Sequence, residues 1–293
     1  MSTTETWTVG KLLNWTTEFL RKNGSPSPRL DAEVLLAHAR GCQRIELYTS
    51  FDDEPSEEIR TAFREMVKRR SEGSPVAYLV GHKEFYATHF EVNPDVLIPR
   101  PETEHLVVEA LDLAKELTAK PLRIADVGTG SGCVAIILAK QLPHSHLTAI
   151  DISPGALETA RRNAVSHSID ESQICFVEGD LLSACEPEQQ FELIVSNPPY
   201  VSDAEYAELD KSVRDYEPKS ALVSSPSGAE IIQRLIGQSA QHLVSGGWLI
   251  FEFSPMLAER LNEFGGPEWE EPRLMKDLAG HPRVVSLRRG PTR

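Results

Sequence analysis

The chain has 293 residues, 40% of them hydrophobic and 25% charged, with 18 Gly and 20 Pro; this is length for about two domains at ~100–200 residues each, and it excludes disordered, fibrous and small disulfide-stapled proteins. With 44 acidic against 30 basic residues the net charge is −14, so the field of the whole molecule repels phosphate backbones and gives no general affinity for nucleic acid. Cys42, Cys133, Cys175 and Cys185 are scattered with no C-x-x-C pair, which predicts reduced thiols in a cytoplasm, with neither a disulfide framework nor a metal site. Met1 to Gly10 carries no basic region and no apolar run. The densest apolar stretch, around Val134 to Ala139, falls far short of the ~20 residues of a membrane span, so a soluble protein with no membrane association is expected.

From Val9 to about Gly73 apolar residues recur at helical spacing: Leu12, Leu13, Trp15 and Phe19, then Leu30, Val34, Leu35 and Leu36, then Ile59, Phe63 and Met66. Asn23-Gly24 and Gly41 punctuate the run and Pro28 stands where a helix can begin, so residues 1–74 read as a small helical domain. Its charges nearly balance, which leaves the acidity of the protein in the remainder. Val76–Val80 and Phe85–Val92 are β-rich runs separated by Gly81-His82-Lys83, and they predict a β-hairpin linker over 75–101. Pro99-Arg100-Pro101-Glu102-Thr103-Glu104 then places proline and carboxylates in a first helical turn that Leu106, Val107, Ala110, Leu111 and Leu113 continue. The second domain, 102–293, starts here.

Beyond residue 120 strand and helix alternate. Strands are predicted at Leu122–Val127, Leu147–Ile150, Ile174–Val177, Phe191–Val195 and Trp248–Phe253, and helices at Cys133–Gln141, Gly155–Val165, Ala229–Leu243 and Met256–Phe264. Arg273–Met275 and Val284–Leu287 read as a closing antiparallel pair. Such alternation predicts an α/β domain, a mainly parallel sheet with helices on both faces.

Asp126-Val127-Gly128-Thr129-Gly130-Ser131-Gly132 joins the first strand of that sheet to its first helix, where an open α/β sheet binds ligands. A dinucleotide fingerprint needs glycine three residues after Gly130, and position 133 is Cys. The Asp126 carboxylate would repel a pyrophosphate but suits a cationic ligand without phosphate, such as S-adenosylmethionine. Asp151 ends the next strand, where an acid can accept from both ribose hydroxyls. Asp180, ending the third, is placed to accept from an adenine amino group.

Phe191 to Ser196 runs into Asn197-Pro198-Pro199-Tyr200, again at a strand's carboxyl end. Consecutive prolines fix φ and leave rigid carbonyl acceptors. A planar NH2 group can be held by the Asn197 side-chain oxygen and the Pro198 carbonyl, with Tyr200 over its flat face; the arrangement suits an amide or an aromatic amine. The lone pair of such a nitrogen is delocalised. Holding both N–H bonds favours pyramidalisation and aims the lone pair at a methyl group for in-line displacement.

The sequence resembles the HemK/PrmC family of peptide chain release factor glutamine methyltransferases over nearly its whole length. The likeness runs through the helical N-terminal region, Gly81-His82-Lys83-Glu84-Phe85-Tyr86, Ile98 to Glu104, the glycine loop, Asn197 to Tyr200, and Tyr216-Glu217-Pro218 with Ala221-Leu222. It implies a Rossmann-like, seven-stranded class I S-adenosylmethionine-dependent methyltransferase domain preceded by a small helical domain, with 1–74 recognising the substrate. By resemblance, Asp126, Gly128, Thr129, Gly130, Ser131, Gly132, Asp151, Asp180, Leu181 and Asn197 hold the cofactor. Asn197, Pro198, Pro199 and Tyr200 hold the glutamine of the Gly-Gly-Gln loop of class 1 release factors, Asn197 and Tyr200 being the catalytic pair. Two departures concern loop shape: Ala87 stands where glycine is common, and Phe253-Ser254-Pro255 follows Glu252 where glycine and glutamine are usual. A sibling that methylates a ribosomal protein glutamine shares most of these motifs, and adenine presents a comparable amine to Asn197 to Tyr200. The lack of a basic tract counts against a nucleic-acid substrate, and an intact Asn197 and Tyr200 count against a binding scaffold without activity.

Overall fold

The computed structural model describes residues 6–119, 121–257, 266–277 and 279–291. Its contacts divide the chain into two compact units, Met1–His82 with Lys211–Tyr216, and Lys83–Asp210 with Glu217–Arg293. The first unit is helical: α1 (Val9–Lys22), α2 (Pro28–Arg40), α3 (Glu46–Thr49), α4 (Glu57–Ser71) and α5 (Val76–Val80). Thr8 and Ser56 cap α1 and α4 by accepting backbone N–H groups, and Pro28 opens α2. Leu13, Leu20, Leu35, Leu36, Leu47 and Phe63 belong to its core; Leu13, Leu35, Leu36 and Phe63 come from the apolar stripe predicted from helical spacing, whereas Trp15 and Leu30 of that stripe are exposed, at 52% and 43%.

Val76–Val80, expected as a strand, is instead the one-turn helix α5. Pro75 starts it, Gly81 ends it at φ 77, and Leu79 and Val80 bury into the helical core; burial decides over the β-propensity of valine in so short a run. The hairpin lies one step later, as β1 (His82–Phe85) and β2 (Thr88–Glu91). Tyr86 and Ala87 turn it with φ 51 and 53, the left-handed pair that a two-residue hairpin of this twist demands.

The second unit continues with α6 (Glu104–Glu116), β3 (Arg123–Val127), α7 (Cys133–Gln141), β4 (His146–Asp151), α8 (Pro154–Ser166), β5 (Ile174–Glu178) and β6 (Phe191–Ser196). The short helices α9 (Asp203–Glu208) and α10 (Lys211–Arg214, which clusters with the first unit) follow, then α11 (Glu230–His242), β7 (Leu243–Glu252), β8 (Arg273–Lys276) and β9 (Pro282–Arg288). The seven strands are ordered β5-β4-β3-β6-β7-β9-β8. The neighbours from β5 to β7 are parallel, and β9 runs antiparallel to β7 and β8 on either side. Side chains alternate across the sheet: Ile124, Leu193, Val195 and Ile250 pack with α6, α7 and α8, while Ala125, Val127, Ile194 and Phe251 pack with α11. The doubly covered sheet and its closing antiparallel pair agree with the pattern read from sequence; of the helix expected at Met256–Phe264, residues 258–264 lie outside the described residues.

Chain order reverses beside β3. From β3 the chain steps to β4 and β5 on one side, then returns to β6 on the other, which opens a crevice at the carboxyl ends of β3 and β6. Asn163 of α8, 1% exposed, braces that edge. Its side chain accepts from Glu91 N–H at 2.7 Å and donates to the Glu91 carbonyl at 3.0 Å and the Ser131 carbonyl at 2.8 Å, tying β2 and the glycine loop to one helix.

Candidate active site

The loop after β3 is built from backbone. Gly128, Gly130 and Gly132 have φ 75, 55 and 79, and a Cβ at Gly132 would lie 3.0 Å from that of Ala160, so side chains there would both strain the loop and lift it from α8. Gly128 and Thr129 donate to the Ile150 carbonyl at 2.8 and 2.9 Å. Asp126, 2% exposed, accepts from the Thr129 hydroxyl at 2.7 Å and Ala135 N–H at 3.1 Å on a single oxygen. Burial pushes its carboxyl up to about 6 against the pull of those two donors. Cys133 opens α7 next to the loop, buried in the wall of the crevice, with its thiol pushed up to about 12 by desolvation.

Asp151 ends β4 with Oδ2 accepting from Gly130 N–H at 2.8 Å and Oδ1 from Ser153 N–H at 2.9 Å. Each oxygen keeps a lone pair for a further donor, and burial holds the group above the ordinary aspartate range. Asp180 pairs at 2.6 Å with Arg234 of α11, both half-exposed. Sequence reading placed the acid but missed the arginine, which comes from a helix 54 positions away.

Asn197 follows β6, and its Nδ2 donates to Thr103 Oγ1 at 3.0 Å. Thr103 donates to Glu252 Oε2 at 2.7 Å, and the Tyr200 hydroxyl donates to Glu252 Oε1 at 3.0 Å. Glu252, 1% exposed, ends β7 as a fourth carboxylate at this edge of the sheet, and desolvation holds it above the ordinary glutamate range against the bonds from Thr103 and Tyr200. The Pro-Arg-Pro-Glu-Thr segment thus contributes Thr103 to the site. It also contributes Arg100, which donates to Glu217 Oε1 at 2.5 Å while Ile98 N–H reaches Glu217 Oε2 at 3.1 Å. Those segments were conspicuous in the sequence, but their chemistry depends on partners that only the fold supplies.

A cavity of about 380 Å³ occupies the crevice, within the ~300–1,000 Å³ usual for small-molecule sites. Asp126, Gly128, Thr129, Gly130, Ser131, Asp151, Asp180, Leu181, Asn197 and Pro199 all line it. Of the other residues singled out from sequence, Gly132 lies behind the loop, Pro198 is buried, and Tyr200 is half-buried against the α11 side of the sheet. The residues fit S-adenosylmethionine: the Cβ direction of Gly130 is open, the buried Ser131 hydroxyl makes no hydrogen bond among the described residues, and Asp151 has acceptor capacity left for a ribose. Among the described residues no group of three or more His, Cys, Asp or Glu side chains is arranged to hold a metal ion, and no helix is long and apolar enough to cross a membrane.

Residues 11–81 match the PrmC N-terminal domain family model and residues 105–213 the methyltransferase small domain model. A release factor glutamine methyltransferase of Rhodopirellula baltica is 54% identical over 288 residues, 97% of either chain, and one of Geobacter sulfurreducens is 39% identical over 98% of either chain. Among solved structures, the hMettl16 catalytic domain in complex with MAT2A 3′UTR hairpin 1 superposes with a TM-score of 0.54 at 16% identity, covering 81% of this chain and 84% of that one, a likeness of fold alone.

Proposed function

The chain belongs to the release factor glutamine methyltransferases, and from that premise we propose that it methylates the side-chain amide nitrogen of the glutamine in the Gly-Gly-Gln motif of class 1 peptide chain release factors. S-adenosylmethionine, when bound, supplies a methyl group on a sulfonium, an electrophile open to in-line displacement. In this reading Asp151 accepts from the ribose hydroxyls, the backbone of Gly128 to Gly132 lies along the cofactor, and Asp126 keeps that loop in shape through Thr129 and Ala135. Asp180 and Leu181 border the base. Asn197 Oδ1 and the Pro198 carbonyl accept the two N–H bonds of the glutamine, and the Tyr200 ring covers its flat face. Acceptors on both N–H bonds favour a pyramidal nitrogen and lower the cost of its developing positive charge. The nitrogen sheds a proton once the new bond forms, so no strong resident base is required.

The observation that carries the reading is that Asn197 and Asp151 line the same cavity. Residues 1–74 serve as the substrate-recognition domain, 75–101 as the linker and 102–293 as the methyltransferase domain; separate family models over 11–81 and 105–213 support a division into two parts, the first model extending seven residues past position 74 through α5. The net charge of −14 favours a protein substrate over a nucleic acid, and four unpaired cysteines favour a cytoplasmic setting. Purified release factor incubated with enzyme and labelled cofactor should gain one methyl group on the Gly-Gly-Gln peptide, seen by mass spectrometry. A release factor carrying Glu at that position should gain none, having no amide nitrogen to attack. Equal labelling of DNA, ribosomal RNA or a ribosomal protein under the same conditions would overturn the assignment.

A further inference from the structure

A carboxamide presents an oxygen on one side and an NH2 on the other, so an asparagine that must accept hydrogen bonds from a substrate needs something to stop it turning over. The surroundings of Asn197 contain that device. Glu252 is buried at the end of β7 and is offered two donors, the Thr103 hydroxyl at 2.7 Å and the Tyr200 hydroxyl at 3.0 Å, one on each oxygen. An ionised carboxylate only accepts, and the bonds from Thr103 and Tyr200 favour that ionised form against the desolvation that opposes it. Thr103, 3% exposed, has a single hydroxyl hydrogen and spends it on Glu252, which leaves its oxygen able only to accept. The Asn197 atom 3.0 Å away must therefore be the nitrogen. The Asn197 oxygen then faces away from Thr103, and no protein group among the described residues donates to it.

We propose that Thr103 and Glu252 are positioning residues that lock the Asn197 amide with its oxygen toward the substrate, so that the site demands an N–H donor and selects glutamine over glutamate. The proposal rests on the reading that Asn197 holds the substrate amide. Neither residue touches the reacting atoms; they act through hydrogen-bond polarity, passed from a buried anion through a hydroxyl to the amide. Proton donors run in one direction along the chain Asn197, Thr103, Glu252, and Tyr200 joins the same anion, so the two residues of the methyl-transfer motif share one anchor.

The test uses the full-length enzyme with release factor and its Gln-to-Glu variant, measuring kcat and KM on the first and binding of both. Thr103→Val keeps the shape and removes the acceptor for Asn197. Glu252→Gln lets an NH2 face Thr103, which frees the threonine hydrogen to turn the Asn197 amide over. Both should lower kcat by about tenfold or more with KM changed by less than about threefold, since the lost interaction strengthens in the transition state. Both should also narrow the preference for the glutamine-bearing release factor over the glutamate-bearing one by about tenfold, because a turned amide offers N–H to a carboxylate. Thr103→Ser, which keeps the hydroxyl, should restore kcat and selectivity to within about threefold of wild type. A loss of activity with undiminished glutamine selectivity would mean a packing role only and would overturn the proposal. If Thr103→Val does not fold, the isosteric Glu252→Gln decides the same comparison. Asn197→Ala separates the two levels: full activity in that variant overturns the reading of Asn197 itself, whereas an inactive Asn197→Ala beside wild-type kinetics and selectivity in Thr103→Val and Glu252→Gln overturns the positioning role alone.

Discussion

Asp126 and Asp151 stand at the ends of adjacent strands, yet their donors give them different work. Asp126 accepts from Thr129 and Ala135 within its own loop, whereas both oxygens of Asp151 are pinned by backbone N–H groups and still have capacity toward the cavity. Asp151→Ala should therefore weaken S-adenosylmethionine binding by ~1–3 kcal/mol in a folded protein, the worth of charge-assisted acceptors; calorimetry that finds wild-type affinity would remove Asp151 from the site. Asp126 should show itself in stability. Its native carboxyl titrates at about 6, above the ordinary 3.8, so between those values the native state binds the proton that the unfolded chain has released. Unfolding free energy thus falls as pH rises through this window and stays low above it. Acidifying the cofactor-free protein from pH 7 to pH 5 should stabilise wild type relative to Asp126→Asn by ~1 kcal/mol, measured by urea denaturation at the two pH values. The strand-end position of both acids was legible in the sequence. The inward turn of Asp126 was not, because it depends on a threonine hydroxyl and a helix N–H whose directions only the folded loop sets.

The hairpin and α5 show at the level of elements how far local pattern reaches. A run of Val, Tyr and Leu reads as a strand, yet a proline before it and a glycine in left-handed conformation after it leave one helical turn whose end drops into a core. Spacing fixes a period only over longer segments, and here the period is too short to separate the two structures. The departure at position 87 gains a cause from the same region. Ala87 sits exposed at φ 53, a conformation that costs an L-residue roughly 1–2 kcal/mol and glycine much less. Ala87→Gly should accordingly stabilise the protein, by about 1 kcal/mol at most once the added freedom of the unfolded glycine is subtracted. A lowered melting temperature in that variant would show that the Ala87 methyl group contributes more than its strained backbone costs.

At the scale of the molecule, the alternation of strands and helices after residue 120 was enough to predict the doubly covered sheet, because buried parallel strands and their crossovers leave strong apolar signals. The site was legible only in part. Its glycine loop and strand-end acids are local, but Thr103 meets Glu252 across 149 positions and Arg100 meets Glu217 across 117, and no period or motif links residues so far apart. The placement of Cys133 turns the same architecture into a clock. Cys133 is 7% exposed in the wall of the cavity beside the glycine loop, and burial makes its thiol resist ionisation, so an alkylating reagent must wait for the cavity wall at the start of α7 to open. In a protein carrying Cys42→Ser, Cys175→Ser and Cys185→Ser, the labelling rate would count those openings. If the cofactor binds only the closed form, S-adenosylmethionine at about 100 times its Kd should slow labelling by about a hundredfold, so that reaction time with a simple thiol reagent reports cofactor affinity without any substrate or turnover. Labelling at one rate with and without cofactor would show that α7 opens independently of the occupied cavity.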